Sequence, residues 1–109
     1  MGETMKGLKR THRCTELSSQ NIGQKVTVMG WVQNRRNLGA LIFVSLRDRT
    51  GILQVVFNDQ IVSQELFDKA YSIRNEFVIA VEGTIEKREA ANPNMKTGDI
   101  ELIATDMRI

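Results

Sequence analysis

The chain of 109 residues has little cysteine, histidine, proline or aromatic side chain, and each shortage excludes a class of protein. A single cysteine, Cys14, excludes an internal disulfide framework and fits a reducing compartment. Together with the single histidine, His12, it supplies too few ligands for a four-ligand zinc site. No apolar run is long enough for a membrane span or for a signal-peptide core. We therefore expect a soluble, intracellular domain that holds no cofactor and binds no membrane.

Catalytic motifs are also missing from the sequence. It contains no glycine-rich phosphate loop and no nucleophile elbow, and no pair of carboxylates falls in a plausible cleft. His12 and Cys14 have no partners at catalytic spacing, so a structural role is the simpler interpretation of both. Because hydrophobic residues make up 41% and charged residues 26% of the chain, the composition is that of one folded domain. The sequence predicts a binding module rather than an enzyme.

Charge is spread unevenly along the chain, although the net charge is only +2. Residues 25–51 carry five basic side chains and one acidic one, a net charge of +4, whereas residues 52–109 carry six basic and ten acidic ones, a net charge of −4. The basic first half of the chain indicates that one face of the protein is suited to binding a polyanion. On charge alone, an ordinary solvated surface is the simpler interpretation. The choice between a polyanion-binding face and a solvated surface therefore depends on where the arginines lie.

The hydrophobic pattern predicts three strands, then one helix, then two strands. The predicted strands cover residues 25–35, 41–47, 52–57, 77–87 and 99–104, and the predicted helix covers residues 61–74. In a chain of about a hundred residues, this order is that of an OB-fold, a five-stranded Greek-key barrel with a helix between strands 3 and 4. We predict that residues 14–109 form this barrel and that residues 1–13 form a flexible basic N-terminal segment.

Individual residues predict local details of this fold. Gly30, in the middle of the first strand, indicates a bend or a bulge. The Asn-Leu-Gly run at residues 37–39 indicates the first tight turn. Leu17 and Ile22 are expected to anchor the short segment before the first strand. The helix is expected to be capped by either Asp59 or Ser63.

An OB-fold binds single-stranded nucleic acid or sugar on its second and third strands, so the side chains on their open face are candidates. Phe43 offers a ring for base stacking, although an ordinary core phenylalanine fits the pattern equally well, since Leu41 shares its face. Gln54 carries a donor and an acceptor for a base edge, or is simply a solvent-facing polar residue. Arg36, beside Arg35, offers a guanidinium group to a phosphate or a base, or is a solvated charge.

The last strand and the loop before it add further candidates. Glu101 alternates with apolar residues and is expected to face away from the core, where a base amino or imino group would offset its repulsion from RNA. A solvated strand residue is the plainer interpretation. Arg88, Asn92 and Asn94 lie along the preceding loop, and they either close over one end of a ligand or belong to a mobile surface loop.

Several longer stretches of the chain resemble one known family. They are THRC at residues 11–14, IGQKVTVMGWV at 22–32, RRNLG at 35–39, LIFV at 41–44, LRDRTG at 46–51, QVVF at 54–57 and NPN at 92–94. Together they resemble the N-terminal anticodon-binding domain of bacterial-type aspartyl-tRNA synthetase over nearly the whole chain beyond the first ten residues. The central stretches are shared loosely with the asparaginyl and lysyl relatives, whereas the first and the last point more narrowly to the aspartyl enzyme.

The resemblance implies that the barrel recognises the GUC anticodon of aspartate tRNA. It implies that Phe43 stacks on the central uracil and that Gln54 and Arg36 form hydrogen bonds with the same base. It also implies that Glu101 reads the guanine at the wobble position, whose imino and amino groups are donors. It implies, finally, that Arg88, Asn92 and Asn94 contact the third base, cytosine.

The resemblance also implies properties of a longer parent enzyme. The family enzyme is a cytoplasmic class II ligase and a homodimer that uses ATP and magnesium to form aspartyl-adenylate before it esterifies tRNA. None of its catalytic motifs is present here, so we expect a domain excised from such an enzyme rather than a stand-alone homologue, without catalytic residues and without affinity for DNA. Leu38 stands where members that also charge asparagine tRNA often have histidine, which favours the aspartate-only type. A general single-strand nucleic-acid binder and a protein-interaction barrel are the alternatives.

Overall fold

A computed structural model describes residues 9–109 as a closed barrel of five strands with one α-helix. Two short 3-10 turns, at Cys14–Glu16 and Ser19–Asn21, precede the barrel. The remaining elements are β1 (Lys25–Leu38), β2 (Leu41–Asp48), β3 (Gly51–Asn58), α1 (Gln64–Ser72), β4 (Val78–Lys87) and β5 (Ile100–Arg108). The strand order around the barrel is β1-β2-β3-β5-β4. The predicted OB-fold, with its helix between strands 3 and 4, is confirmed.

The barrel closes because β3 and β5 pair although the helix and β4 lie between them in the chain. β1, β2 and β3 form an antiparallel meander, and β4 pairs antiparallel with both β1 and β5. The last seam is a parallel pairing of β3 with β5, in which Val55 lies opposite Leu102 and Val56 lies opposite Ile103. Closure leaves no unpaired strand edge along this seam.

The core is filled by the side chains that the alternation predicted to point inward. The fully buried residues of β2, β3 and β5 are Ile42, Val44, Leu46, Leu53, Val55, Phe57, Ile100, Leu102 and Ala104. Four apolar side chains in and beside α1 join the same core: Val62, Leu66, Ala70 and Ile73. Ser63 caps α1 by accepting a hydrogen bond from the Leu66 N–H at 3.1 Å, so Ser63 rather than Asp59 is the cap. No helix among residues 9–109 is long and apolar enough to cross a membrane.

Two local predictions about the start of the barrel are wrong. Leu17 is buried in the core as predicted, but Ile22 is 40% exposed and does not join the core. The backbone holds this segment instead, because the Gly23 N–H donates to the Ile85 carbonyl oxygen at 2.8 Å. The first turn is also shorter than predicted, since β1 continues to Leu38, which pairs with Leu41. Gly39, at φ +64°, supplies the left-handed backbone that this two-residue turn requires.

Gly30 is not the bulge that its position in the sequence predicted, and the bend stays a prediction. A Cβ atom at Gly30 would lie 2.3 Å from the Arg47 carbonyl oxygen, so glycine is needed for the close approach of two strands. The bulge of β1 lies three residues further on. There the register passes from Val32 opposite Leu46 to Asn34 opposite Ser45, and Gln33 is left without a partner.

The flexibility predicted for residues 1–13 stays a prediction. Residues 1–8 lie outside the described residues. Of the remaining five, Thr11 donates from its backbone N–H to the Thr27 carbonyl oxygen at 2.9 Å, which connects it to β1.

A buried carboxylate joins the first 3-10 turn to the β2–β3 turn. Asp48 is 5% exposed and accepts hydrogen bonds from the backbone N–H groups of Cys14 (2.7 Å) and Thr50 (2.8 Å) and from the Thr50 hydroxyl. Burial alone would raise the pKa of Asp48, but these hydrogen bonds outweigh burial and hold the pKa below its ordinary value of 3.8. Burial and the neighbouring Asp48 carboxylate raise the pKa of the Cys14 thiol to about 12, so the thiol stays protonated.

We expect Asp48→Asn to lower the free energy of unfolding at pH 7 by roughly 1–3 kcal/mol, because an amide nitrogen cannot accept the Cys14 or Thr50 hydrogen bonds. The carboxylate has a lower pKa in the folded state, so its contribution is present above the unfolded pKa and is lost as pH falls through the folded pKa. The gap between wild type and variant in urea denaturation should therefore shrink below about pH 4. Asp59→Asn, at an exposed position, is the control and should change little. An equal stability of wild type and Asp48→Asn at pH 7 would contradict this account.

Candidate nucleic-acid interface

The outer faces of β2, β3 and β5 form the floor of a groove with a volume of about 480 Å³. Five of the seven residues that the sequence analysis proposed for the site line this groove: Arg36, Phe43, Gln54, Arg88 and Glu101. Three apolar side chains between them complete the floor: Leu41, Val56 and Ile103. The groove thus combines an aromatic ring, an amide, a carboxylate and guanidinium groups on one half-apolar surface.

Strand register explains why these side chains meet. Arg36 of β1 lies opposite Phe43 of β2, and Phe43 lies opposite Val56 of β3. The parallel seam between β3 and β5 then places Gln54 beside Glu101, which is 47 residues away in the chain. The Gln54 Nε2 group donates a hydrogen bond of 2.9 Å to Glu101 Oε1. This bond fixes the orientation of the Gln54 amide, so its carbonyl oxygen is left for another partner.

The ring of Phe43 lies outside the core. Phe43 is half-buried, whereas its neighbours Ile42 and Val44 are fully buried on the opposite side of the strand. The interpretation of Phe43 as a core residue is therefore wrong. Leu41 is also half-buried and lies on the same face, as the alternation predicted, so it shares the groove instead of competing with Phe43 for it.

The two neighbouring arginines of β1 point to different surfaces. The Arg36 guanidinium lies over the Phe43 ring, with its central carbon 5.5 Å from the ring centroid, as in a cation–π contact. The Arg35 guanidinium lies over the ring of Tyr71 on α1 at 5.3 Å. Its Nη1 atom is buried and has no hydrogen-bond partner within residues 9–109. Only Arg36 therefore contributes to the groove.

The loop between β4 and β5 borders the groove through Arg88 but not through its asparagines. The Arg88 N–H donates to the Asp99 carbonyl oxygen at 3.0 Å, which holds the residue at the edge of the sheet. Asn92 and Asn94 do not line the groove. The Asn92 N–H donates to the Gly98 carbonyl oxygen at 2.8 Å, and the Asn92 side chain accepts from the Asn94 N–H at 3.0 Å. The two asparagines thus shape the loop, and their contact with a ligand stays a prediction.

Sequence reasoning missed three polar residues of the groove, Asn58, Lys87 and Glu89. Lys87 ends β4, and Glu89 lies in the loop that follows it. Asn58 ends β3 and shares the face of Gln54 because it is four residues further along the strand. Continuing the alternation to the strand end was the signal that could have found it. With Lys87 included, the groove is lined by three cations and two carboxylates, so its charge is mixed rather than uniformly positive. No cluster of three metal-ligating side chains occurs in the part of the chain that the structure covers.

Comparison with known proteins assigns this barrel to a family. The tRNA anti-codon family model, an OB-fold nucleic acid binding domain, matches residues 26–109. The chain is 66% identical over its full length to the aspartate–tRNA ligase of Agathobacter rectalis and 57% identical to the aspartate–tRNA(Asp/Asn) ligase of Lachnoclostridium phytofermentans. It spans only 18% of the length of either relative.

A solved structure supports the same assignment. The asparaginyl-tRNA synthetase of Pyrococcus horikoshii, complexed with asparaginyl-adenylate, superposes with a TM-score of 0.80 at 31% identity. The match covers 92% of this chain and 22% of that synthetase.

The loop that borders the groove depends on a close backbone approach at Gly98. A Cβ atom there would lie 1.7 Å from the Asn92 carbonyl oxygen. We expect Gly98→Ala to break the Asn92–Gly98 hydrogen bond, to speed amide hydrogen exchange at Asn92, and to cost roughly 1–3 kcal/mol of unfolding free energy. Ala91→Ser adds one atom at an exposed position of the same loop and should leave both quantities unchanged. Unaltered exchange at Asn92 in Gly98→Ala would show that the close approach does not hold the loop.

Proposed function

The chain belongs to the tRNA anti-codon family of OB-fold nucleic acid binding domains, and from this membership we propose that it binds the GUC anticodon of aspartate tRNA. The observation that carries the proposal is one groove in which the half-buried Phe43 ring lies beside the hydrogen-bonded Gln54–Glu101 pair. The full-length similarity to aspartate–tRNA ligases supports the choice of this tRNA.

The central uracil stacks on Phe43 in this proposal. The central carbon of the Arg36 guanidinium lies 5.5 Å from the centroid of the Phe43 ring. This distance leaves no room for a base between the guanidinium and the ring. The base therefore displaces Arg36, and the freed guanidinium then donates hydrogen bonds to the base or to a neighbouring phosphate. The Phe43 ring is covered by Arg36 in the free protein and by uracil in the complex, so it stays covered in both states.

The Gln54–Glu101 pair reads base edges through the atoms that it leaves free. One N–H of Gln54 is held by Glu101, so the amide presents its carbonyl oxygen and one remaining N–H. Uracil offers a matching donor at N3 and an acceptor at O4. The second oxygen of Glu101 accepts from the imino and amino groups of guanine at the wobble position. The third base, cytosine, meets Arg88, Asn92 and Asn94.

The parent reaction is also part of the proposal. As a segment of an aspartate–tRNA ligase, the chain would position aspartate tRNA for aminoacylation, and ATP and magnesium would act in a separate catalytic domain of a cytoplasmic homodimer. Leu38, which is 55% exposed beside the first turn, favours the aspartate-only type. One relative, at 57% identity, is named for both the aspartate and the asparagine tRNA. Whether the parent enzyme charges asparagine tRNA is therefore the measurement that tests the aspartate-only type.

A general single-strand binder is the second candidate function. Such proteins follow the RNA backbone with a positively charged groove and bind with little sequence preference. The mixed charges of this groove, with Glu89 and Glu101 among its lining, favour base reading over a uniform attraction to phosphate.

Phe43→Ala should weaken binding to a GUC anticodon stem-loop by roughly 1–3 kcal/mol, about 5- to 150-fold in Kd, because the stacking surface is lost. Fluorescence anisotropy with a labelled stem-loop at fixed salt measures this change. Tyr71→Ala is the matched control, because it removes an exposed aromatic ring on α1, away from the groove. Equal affinities of wild type and Phe43→Ala would count against the proposal.

Glu101→Gln should mainly relax discrimination at the wobble base. The change keeps the shape of the side chain but removes the charge that strengthens hydrogen bonds from guanine, so the preference for GUC over AUC should fall roughly tenfold. The preference for GUC over GUU should persist. A uniform loss across all loops would contradict the role of Glu101. A wild type without any preference, but with steep salt dependence, would favour the general binder.

A further inference from the structure

A second cavity, of about 220 Å³, lies at the far end of the sheet face that carries the groove. Its walls come from Arg47 at the end of β2, Ile52 at the start of β3, Thr15, Thr50, and Asn94 and Lys96 of the β4–β5 loop. We propose that this cavity binds a backbone phosphate of the RNA whose bases enter the groove. The inference rests on the proposed function and extends its site.

Strand alternation connects the two cavities. Phe43 and Arg47 lie on the same face of β2, and Gln54 and Ile52 lie on the same face of β3. Arg47 and Ile52 are directly opposite each other in the β2–β3 pairing. Four residues along a strand correspond to about 13 Å, so Arg47 lies a short stretch of RNA backbone away from the base on Phe43. A chain that enters the groove can therefore continue into the second cavity along the same face.

The charge of the second cavity differs from that of the groove. Arg47 and Lys96 are two cations, and no carboxylate lines the cavity. Neither cation has an ion-pair partner within residues 9–109. Asp48, the residue after Arg47, is 5% exposed, and its oxygens accept hydrogen bonds from Cys14 and Thr50. The cavity also lacks an aromatic ring for stacking. Ile52 and Met95 make part of its wall apolar, so Arg47 and Lys96 are the two groups that attract an anion.

The bulge of β1 gives the Arg47 guanidinium a fixed orientation. Gln33, the residue that the bulge leaves without a strand partner, accepts a hydrogen bond from Arg47 Nε through its side-chain oxygen. A glutamine oxygen carries no net charge, so this contact does not offset the positive charge of the guanidinium. Because Nε is held, the two terminal nitrogens remain for the paired hydrogen bonds that guanidinium groups form with phosphate oxygens.

Arg47→Gln tests the proposal through salt dependence and sequence dependence together. We expect Kd to rise about 3- to 10-fold. The factor should be the same for GUC, GUU and scrambled stem-loops. The slope of log K against log salt should become less steep by roughly 0.7, which is the loss of one phosphate contact to a single strand. Arg47→Lys should keep the slope. Arg74→Gln removes the same charge at an exposed position after α1 and is the matched control, with no change expected in either quantity.

Lys96→Gln keeps the test decisive if Arg47→Gln fails to fold, because Lys96 is an exposed loop side chain. It should lower the slope in the same way. If wild type binds the GUC loop and neither variant changes affinity or slope, the second cavity binds no phosphate, while the proposed function stands. A loss that depends on the base sequence would equally overturn the phosphate assignment. If wild type binds none of the stem-loops, the proposed function and this inference both fail.

Discussion

The parallel pairing of β3 with β5 is the contact on which the site depends. It is only two residue pairs long, Val55 with Leu102 and Val56 with Ile103, yet it converts an open sheet into a closed barrel. Without it, the Glu101 carboxylate would have no reason to lie 2.9 Å from the Gln54 amide. Buried residues on the inner side of both strands stabilise this seam, so the core and the groove on its outer side form together.

In the proposed function, the two ends of the sheet face bind different parts of the RNA. The groove at one end has mixed charge and carries directional groups whose free atoms match base edges. The cavity at the other end has two cations and no carboxylate, which suits the uniform charge of a phosphate backbone. Asp48, which is buried, does not line this second cavity, and its oxygens accept hydrogen bonds from Cys14 and Thr50.

Local patterns in the sequence predicted more of the fold than of the site. The inward side chains Ile42 and Val44 follow from strand alternation, which depends only on neighbouring residues. The face of Glu101 was predictable for the same reason, but its contact with Gln54 crosses 47 residues and depends on barrel closure. Gly30 was misread because its constraint comes from the Arg47 carbonyl oxygen on another strand. Arg35 turned towards Tyr71 of α1, and no pattern within β1 could indicate that helix.

A direct test of the account is to map where RNA touches the barrel, by titrating the ¹⁵N-labelled protein with a GUC stem-loop and following its amide chemical shifts. The account predicts that the largest changes fall on β2, β3, the first half of β5 and the loop at residues 88–99. The amides around Tyr71 on α1 should stay where they are. Changes concentrated on α1 and the start of β4, with the amides of Phe43, Gln54 and Glu101 unmoved, would contradict it.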